Sequence, residues 1–349
     1  MPVTSQSFGS FAKGDVTLYS LTSDVGVRAD VMNYGAALVS LCTPDRNGNL
    51  SNIVLGYDRL EDYLTDKNYI GVIVGRYANR IANGSFMLDS RNFDLPNNDG
   101  ENHLHGGVDG FDKRLWQAMV RQDANGCGVK FTLDSPHLDQ GYPGNLTVGI
   151  EYWLTHDGML SIFLTAETDR VTVVNLASHS YFNLSYNERI DGHRIRLFAS
   201  SYTPVDKDLI PTGVISPVAG SPFDFRAEKE VGIDLTGSHP QLVLAGGFDH
   251  NFVVDGPPGT LRPVADVSDP GSGRQILISS TQPGVQFYTG NMLAGKFKPH
   301  AGLCLETQHF PDSPNRSSFP STLVFPEEPY AETIEYRFSV TSEEVNVGV

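Results

Sequence analysis

The chain has 349 residues, with Lys+Arg 25 against Asp+Glu 41 and a formal net charge of −16. That balance argues against nucleic acid or an anionic membrane surface as a partner, because binding phosphates needs clustered Lys and Arg. With Gly 35, Pro 21 and many Val, Thr, Tyr and Phe runs, the composition points to an all-β protein large enough for a substantial core.

No apolar run approaches the roughly 20 residues that span a bilayer. The opening MPVTSQSFGSFAKGD has no charged segment leading into an apolar one, so no secretory signal is visible. Cys42, Cys127 and Cys304 are odd in number and far apart, as expected of reduced thiols in a cytoplasm. The expected localisation is cytoplasmic.

In chain order, residues 15 to 45 predict strands separated by turns. Val27, Ala29 and Val31 alternate with Arg28 and Asp30, the pattern of a half-buried strand. Gly56 to Leu64, GYDRLEDYL, carries the first helical turn. Gly75 to Phe86, GRYANRIANGSF, predicts a loop, because Asn79, Asn83 and Gly84 disfavour a long helix. There Arg80 is either a surface arginine or a forked donor for a hydroxyl-rich ligand.

Asn102 to Gly107, NHLHGG, holds two histidines at i and i+2. On a strand His103 and His105 would face the same way and line one pocket. Residues 110 to 170 carry a long antiparallel pattern broken by the turn GYPGN. Val171 to Leu184, VTVVNLASHSYFNL, predicts a strand delivering His179. That histidine is either a satisfied core group or a general acid, since its reference pKa of about 6.5 allows proton exchange near neutrality. The Pro-rich stretch Thr203 to Arg226 suggests a loop bounding a subdomain.

Asp249, in GFDHN, suits either an Asx turn or a hydroxyl acceptor. Gln286 sits on the strand GVQFYTGN and, if buried, must find partners. In GLCLETQHFPDSPN an apolar run leads to Glu306 before Pro311 ends regular structure. A carboxylate there is an exposed strand-end group or a general base held on a rigid element. From Ser321 the tail predicts closing strands, with Thr341 to Val349 frayed. The chain lacks G-x-G-x-x-G, the P-loop string, H-E-x-x-H, C-x-x-C and G-x-S-x-G. What remains suits cofactor-free proton transfer on a neutral, hydroxyl-rich molecule.

The strings NYGAALVSLCTPD, NIVLGYDRLEDY, GRYANRIANGSF, NHLHGG, GYPGNL, SHSYFNL, TPVDKDLIPTG, GFDHN, GVQFYTGN and LETQHFPDSPN closely resemble those of the aldose 1-epimerases, or galactose mutarotases. They occur in the family's order across about residues 15 to 340. The resemblance implies one β-supersandwich domain over residues 1–349. It also implies interconversion of the α and β anomers of free aldoses without cofactor or metal. By similarity, Glu306 is the general base, His179 the general acid that protonates the ring oxygen, and His105 the second site histidine. Asn79, Arg80, Asp249 and Gln286 match the sugar-binding positions. An ionised Glu306 near its reference pKa, with His179 held protonated beside it, would suit these roles.

The implied partner is a monosaccharide, and the chain is expected to be a monomer or weak dimer. Three other readings stay open: a non-catalytic sugar-binding module, a metal-dependent isomerase using His103, His105 and Asp109, and an epimerase for hexose 6-phosphates. The last would gather basic residues around a phosphate, and Lys and Arg are sparse.

Overall fold

The computed structural model describes residues 3–341. The chain is all-β as expected, and its strands pair antiparallel. Three sheets carry the architecture. The first has five strands, from Thr4–Phe11 to Leu50–Asn52, in sequence order. The second has nine, running from Gln117–Gln122 through Gly126–Ser135, Leu146–Thr155 and Leu160–Thr168 to Tyr330–Val340, and then to Arg274–Ser280 and beyond. The closing strand Tyr330–Val340 thus lies inside this sheet, joining its two halves. Residues 342–349 of the expected frayed end lie outside the described residues.

The third sheet holds the site. Its six strands run in the order Tyr181–Phe182, Leu303–Gln308, Gly284–Tyr288, Asp249–Val254, Ala199–Tyr202 and Ser216–Pro217. Alternation gives its central strands one apolar face, with Phe252, Val285, Phe287 and Leu305, which joins the main core. The other face carries Asp249, Gln286 and Glu306. The main core also takes Val31 and Leu38 from the first sheet and Ile150 and Leu164 from the second, so all three sheets bury apolar faces against one another. This is the β-supersandwich arrangement.

Local expectations meet the structure unevenly. The helical turn is real, spanning Leu60–Leu64 and burying Leu60 and Tyr63. Asp30 departs from simple alternation: it is buried, held by Arg28 at 2.9 Å and Ser40 at 2.6 Å. The predicted strand through Val171 to Leu184 is three two-residue strands, Thr172–Val173, Ala177–Ser178 and Tyr181–Phe182, so His179 sits in a gap between two of them. The Pro-rich stretch does not bound a subdomain. Its Val218, Phe223 and Phe225 are buried in the main core, and Ser216–Pro217 extends the site sheet.

Candidate active site

Adjacent strands of the third sheet set Asp249, Gln286 and Glu306 on one face, because Asp249 pairs with Tyr288, and Gln286 with both Asn251 and Glu306. His179 comes from the segment that leads into Tyr181–Phe182, the strand paired beside Leu303–Gln308, and its backbone is tied to residues 71–72. Its N–H donates to the Val72 carbonyl at 2.9 Å, and its carbonyl accepts from the Gly71 N–H at 3.1 Å. His105 and Asn79 arrive together. Both have left-handed backbones, with φ of 50° and 65°, a conformation that non-glycine residues hold only when surroundings enforce it. Each secures the other: the His105 N–H donates to the Asn79 carbonyl, and the Asn79 N–H donates to His105 Nδ1, both at 3.1 Å.

These elements converge on one cleft. It is lined by Asn79, Arg80, His105, His179, Asp249 and Glu306, with Gln286 behind, bonded to Asp249. All seven expected site residues are therefore brought together, and all are buried. Glu306 Oε1 lies 3.8 Å from His179 Nε2, too long for a direct hydrogen bond. Arg80 donates through Nε to Asp99 at 2.7 Å and lies 4.0 Å from Asp249, which also accepts from Gln286 Nε2 at 2.6 Å. Asp249 is thus a strand residue held by side-chain donors, not an Asx turn. Arg76, four residues from Arg80, is buried against Ser135 and the carbonyls of Pro136 and Pro143, outside the cleft.

The two histidines of NHLHGG part company. The strand there is only His103–Leu104, and the left-handed turn at His105 swings its ring into the cleft. His103 instead lies between the Pro96 carbonyl at 2.7 Å and the Tyr142 hydroxyl at 2.8 Å, with both ring nitrogens engaged. Asp109 is partly exposed and paired with Lys13 and Arg114. The set His103, His105 and Asp109 is therefore not assembled as metal ligands. A different trio comes closer: His105, His179 and Glu306 offer ligand atoms within 4.8 Å of one another.

Burial sets the protonation states, and against expectation. Desolvation, with the charge of Asp249 adding to it and Arg80 opposing, pushes the Glu306 carboxyl well above its ordinary range. Desolvation pulls His179 down to about 4 and His105 well down, with the His179 and Arg80 charges adding to the shift of His105. In the free site the pair thus leans toward neutral acid and neutral imidazole, where the sequence suggested a carboxylate and an imidazolium. Accepting from the Asn79 N–H leaves Nδ1 of His105 unprotonated, so its Nε2 carries the proton and is a donor.

Sequence reasoning missed several groups. Tyr69, Tyr181 and Tyr288 wall the cleft, and the Tyr69 ring lies 4.6 Å from that of His105. No local pattern marks Tyr69. Cys304, whose Sγ is 3.6 Å from His179 Nδ1, was findable: it precedes Glu306 by two residues on one strand and so shares its face. Burial and the Glu306 charge keep its thiol protonated, a weak donor to the ring.

The family model described as aldose 1-epimerase matches residues 17–337. The chain belongs to the aldose 1-epimerase family. A galactose mutarotase of Bos taurus is 43% identical over 350 residues, covering 97% of this chain and 99% of its own length. An aldose 1-epimerase of Escherichia coli strain K12 is 36% identical over 331 residues, 92% of this chain and 94% of its own. Among solved structures, a galactose 1-epimerase from Lactobacillus acidophilus NCFM superposes with a TM-score of 0.89 at 29% identity, over 98% of this chain and all of that one.

Proposed function

We propose that this chain interconverts the α and β anomers of free aldohexoses such as glucose and galactose, with Glu306 as general base and His179 as general acid. The observation that carries the reading is the pair itself: two buried groups lining one cleft with their facing atoms 3.8 Å apart, close enough to reach adjacent oxygens of one sugar. The one proton the pair holds passes from Glu306 to His179 as the sugar binds; Glu306, then a carboxylate, takes the proton of the anomeric hydroxyl while the His179 imidazolium gives one from Nε2 to the ring oxygen. The C1–O5 bond breaks and the C1–O1 bond becomes a carbonyl. Rotation about C1–C2 turns the other face of the aldehyde toward the hydroxyl on C5. That hydroxyl returns its proton to His179 as its oxygen attacks C1, and Glu306 returns the other to O1. Protons balance, and no cofactor is needed.

His105 Nε2–H donates to the sugar near its reacting end. Asp249 accepts from its hydroxyls, braced by Arg80 and Gln286, and Asn79 fixes both His105 and the Arg80 backbone. The reading includes a single domain, cytoplasmic location, a monomer or weak dimer, and no nucleic-acid or membrane partner. Hexose 6-phosphates fit less well: in the outer hollow, Arg80 is committed to Asp99 and Lys207 to Asp208, with Glu101 beside them.

Polarimetry of freshly dissolved α-D-glucose and α-D-galactose tests the reading. Wild type should speed the approach to equilibrium rotation, and Glu306→Gln and His179→Asn should each lose roughly 100- to 10,000-fold. A folded wild type that binds sugar but does not outpace buffer would leave a binding module instead. Metal assistance has one observation in its favour, the closeness of His105, His179 and Glu306. Under the acid–base reading EDTA leaves the rate unchanged; a rate abolished by EDTA and restored by Zn²⁺ would replace it.

A further inference from the structure

The strand face that carries Glu306 continues beyond the cleft. Asn251, Gln286 and Glu306 stand opposite one another on three adjacent strands. Gln308 lies two residues past Glu306 on the same face, opposite Gly284. Because Gly284 has no side chain, Asn251 leans into its place: a β-carbon there would lie 2.4 Å from Asn251 Oδ1 and 2.9 Å from the Phe310 ring. The four polar side chains are at most 3% exposed.

Both amide atoms of Asn251, both of Gln308, Gln286 Oε1 and Glu306 Oε2 have no hydrogen-bond partner among the described residues. Buried polar atoms are nearly always satisfied, and a cluster of them behind a carboxylate is the kind of place that buried water occupies, each molecule making about three hydrogen bonds. Packing alone does not call for amides here, since the opposite face of the same strands is filled by Phe252, Val285, Phe287 and Leu305.

We propose that Asn251 and Gln308 are positioning residues for Glu306, forming with buried water a hydrogen-bonded shelf that holds Oε2 from below and leaves Oε1 facing His179. The inference rests on the reading of Glu306 as the base. Gln286 Nε2 is already given to Asp249, so its orphaned atom is an acceptor; the shelf's donors are the two other amides and water. These donors oppose the burial that pushes the carboxyl up. The other groups acting on Glu306 lie on the cleft side. Asp249 raises it and Arg80 lowers it, while His105 and His179 are pulled down by burial. Cys304, Tyr181 and Tyr288 stay un-ionised, pushed up by burial with the Glu306 charge adding to it.

The test is the polarimetric pH profile of Asn251→Leu and Gln308→Met, beside wild type and Glu306→Gln, with thermal unfolding of each. Losing shelf donors should cut the kcat plateau about tenfold with little change in KM, and move the alkaline limb up by about one pH unit. Unchanged profiles with a raised Tm would mean dry, orphaned amides and would overturn the shelf, even with Glu306→Gln inactive. A Glu306→Gln that keeps the wild-type rate would instead sink the base assignment. Should the variants not fold, a high-resolution crystal structure of the wild type decides: water bonded to Glu306 Oε2 and to Asn251 or Gln308 is expected, and a dry shelf overturns it.

Discussion

Single side chains in this site owe their chemistry to desolvation. Glu306 is pushed up and His179 down to about 4, so the pair carries one shared proton over a wide pH range. A pH profile of kcat/KM should therefore be a broad bell. Its acid limb should fall near pH 4, where the pair takes a second proton, well below histidine's ordinary 6.5. An acid limb near 6.5 would mean that the site is better hydrated than its packing implies. Away from the cleft, His103 is fully buried and also lowered to about 4 by desolvation. Its unfolded form binds a proton before its folded form does, so its contribution to stability is present above about 6.5 and is lost as pH falls toward 4. Wild type should lose about 3 kcal/mol over that window that His103→Gln does not, at roughly 1.36 kcal/mol per pH unit. Denaturant unfolding of both proteins at a series of pH values checks it.

At the scale of elements, short motifs act by permitting close backbone approach. In NHLHGG, Gly106 has φ of +85°, and a β-carbon there would lie 1.7 Å from the Gly75 carbonyl oxygen. Only glycine lets this turn seat against the Gly75–Arg76 backbone and so fix the neighbouring His105 ring beside Asn79. Gly106→Ala should lower Tm by several degrees and raise KM for glucose several-fold, since backbone strain alone costs about 1–3 kcal/mol. An alanine variant with unchanged Tm and KM would show that the turn does not position His105. This role was half legible: the paired glycines are plain in the sequence, but what they approach lies some thirty residues earlier in the chain. The same holds for His103 and His105. Spacing at i and i+2 predicts one face, and a single left-handed residue separates them.

Across the whole molecule, charge shapes what reaches the cleft. The net charge is −16; around the cleft Arg80 and Lys207 are already paired with aspartates, and Lys67 is the other cation in its lining. Glucose 6-phosphate should thus react at least tenfold less efficiently than glucose, and added salt should narrow the gap, because screening weakens repulsion between exposed charges. A phosphate ester turned over as well as glucose would contradict this account of the mouth.

The sequence by itself determined the class of fold and named the residues that the structure then gathers in one cleft. Period-two alternation builds two-faced strands wherever it occurs, and the ordered family strings name Glu306, His179, His105, Asn79, Arg80, Asp249 and Gln286. Only the tertiary structure decided where His103 goes, that Val218, Phe223 and Phe225 belong to the main core, and which way the protons of Glu306 and His179 lean. The reason is physical. Alternation and turn chemistry act between near neighbours in the chain, whereas desolvation and polar partnership depend on groups brought together from across it, as strands 249–254, 284–288 and 303–308 bring Asn251, Gln286 and Glu306 onto one face.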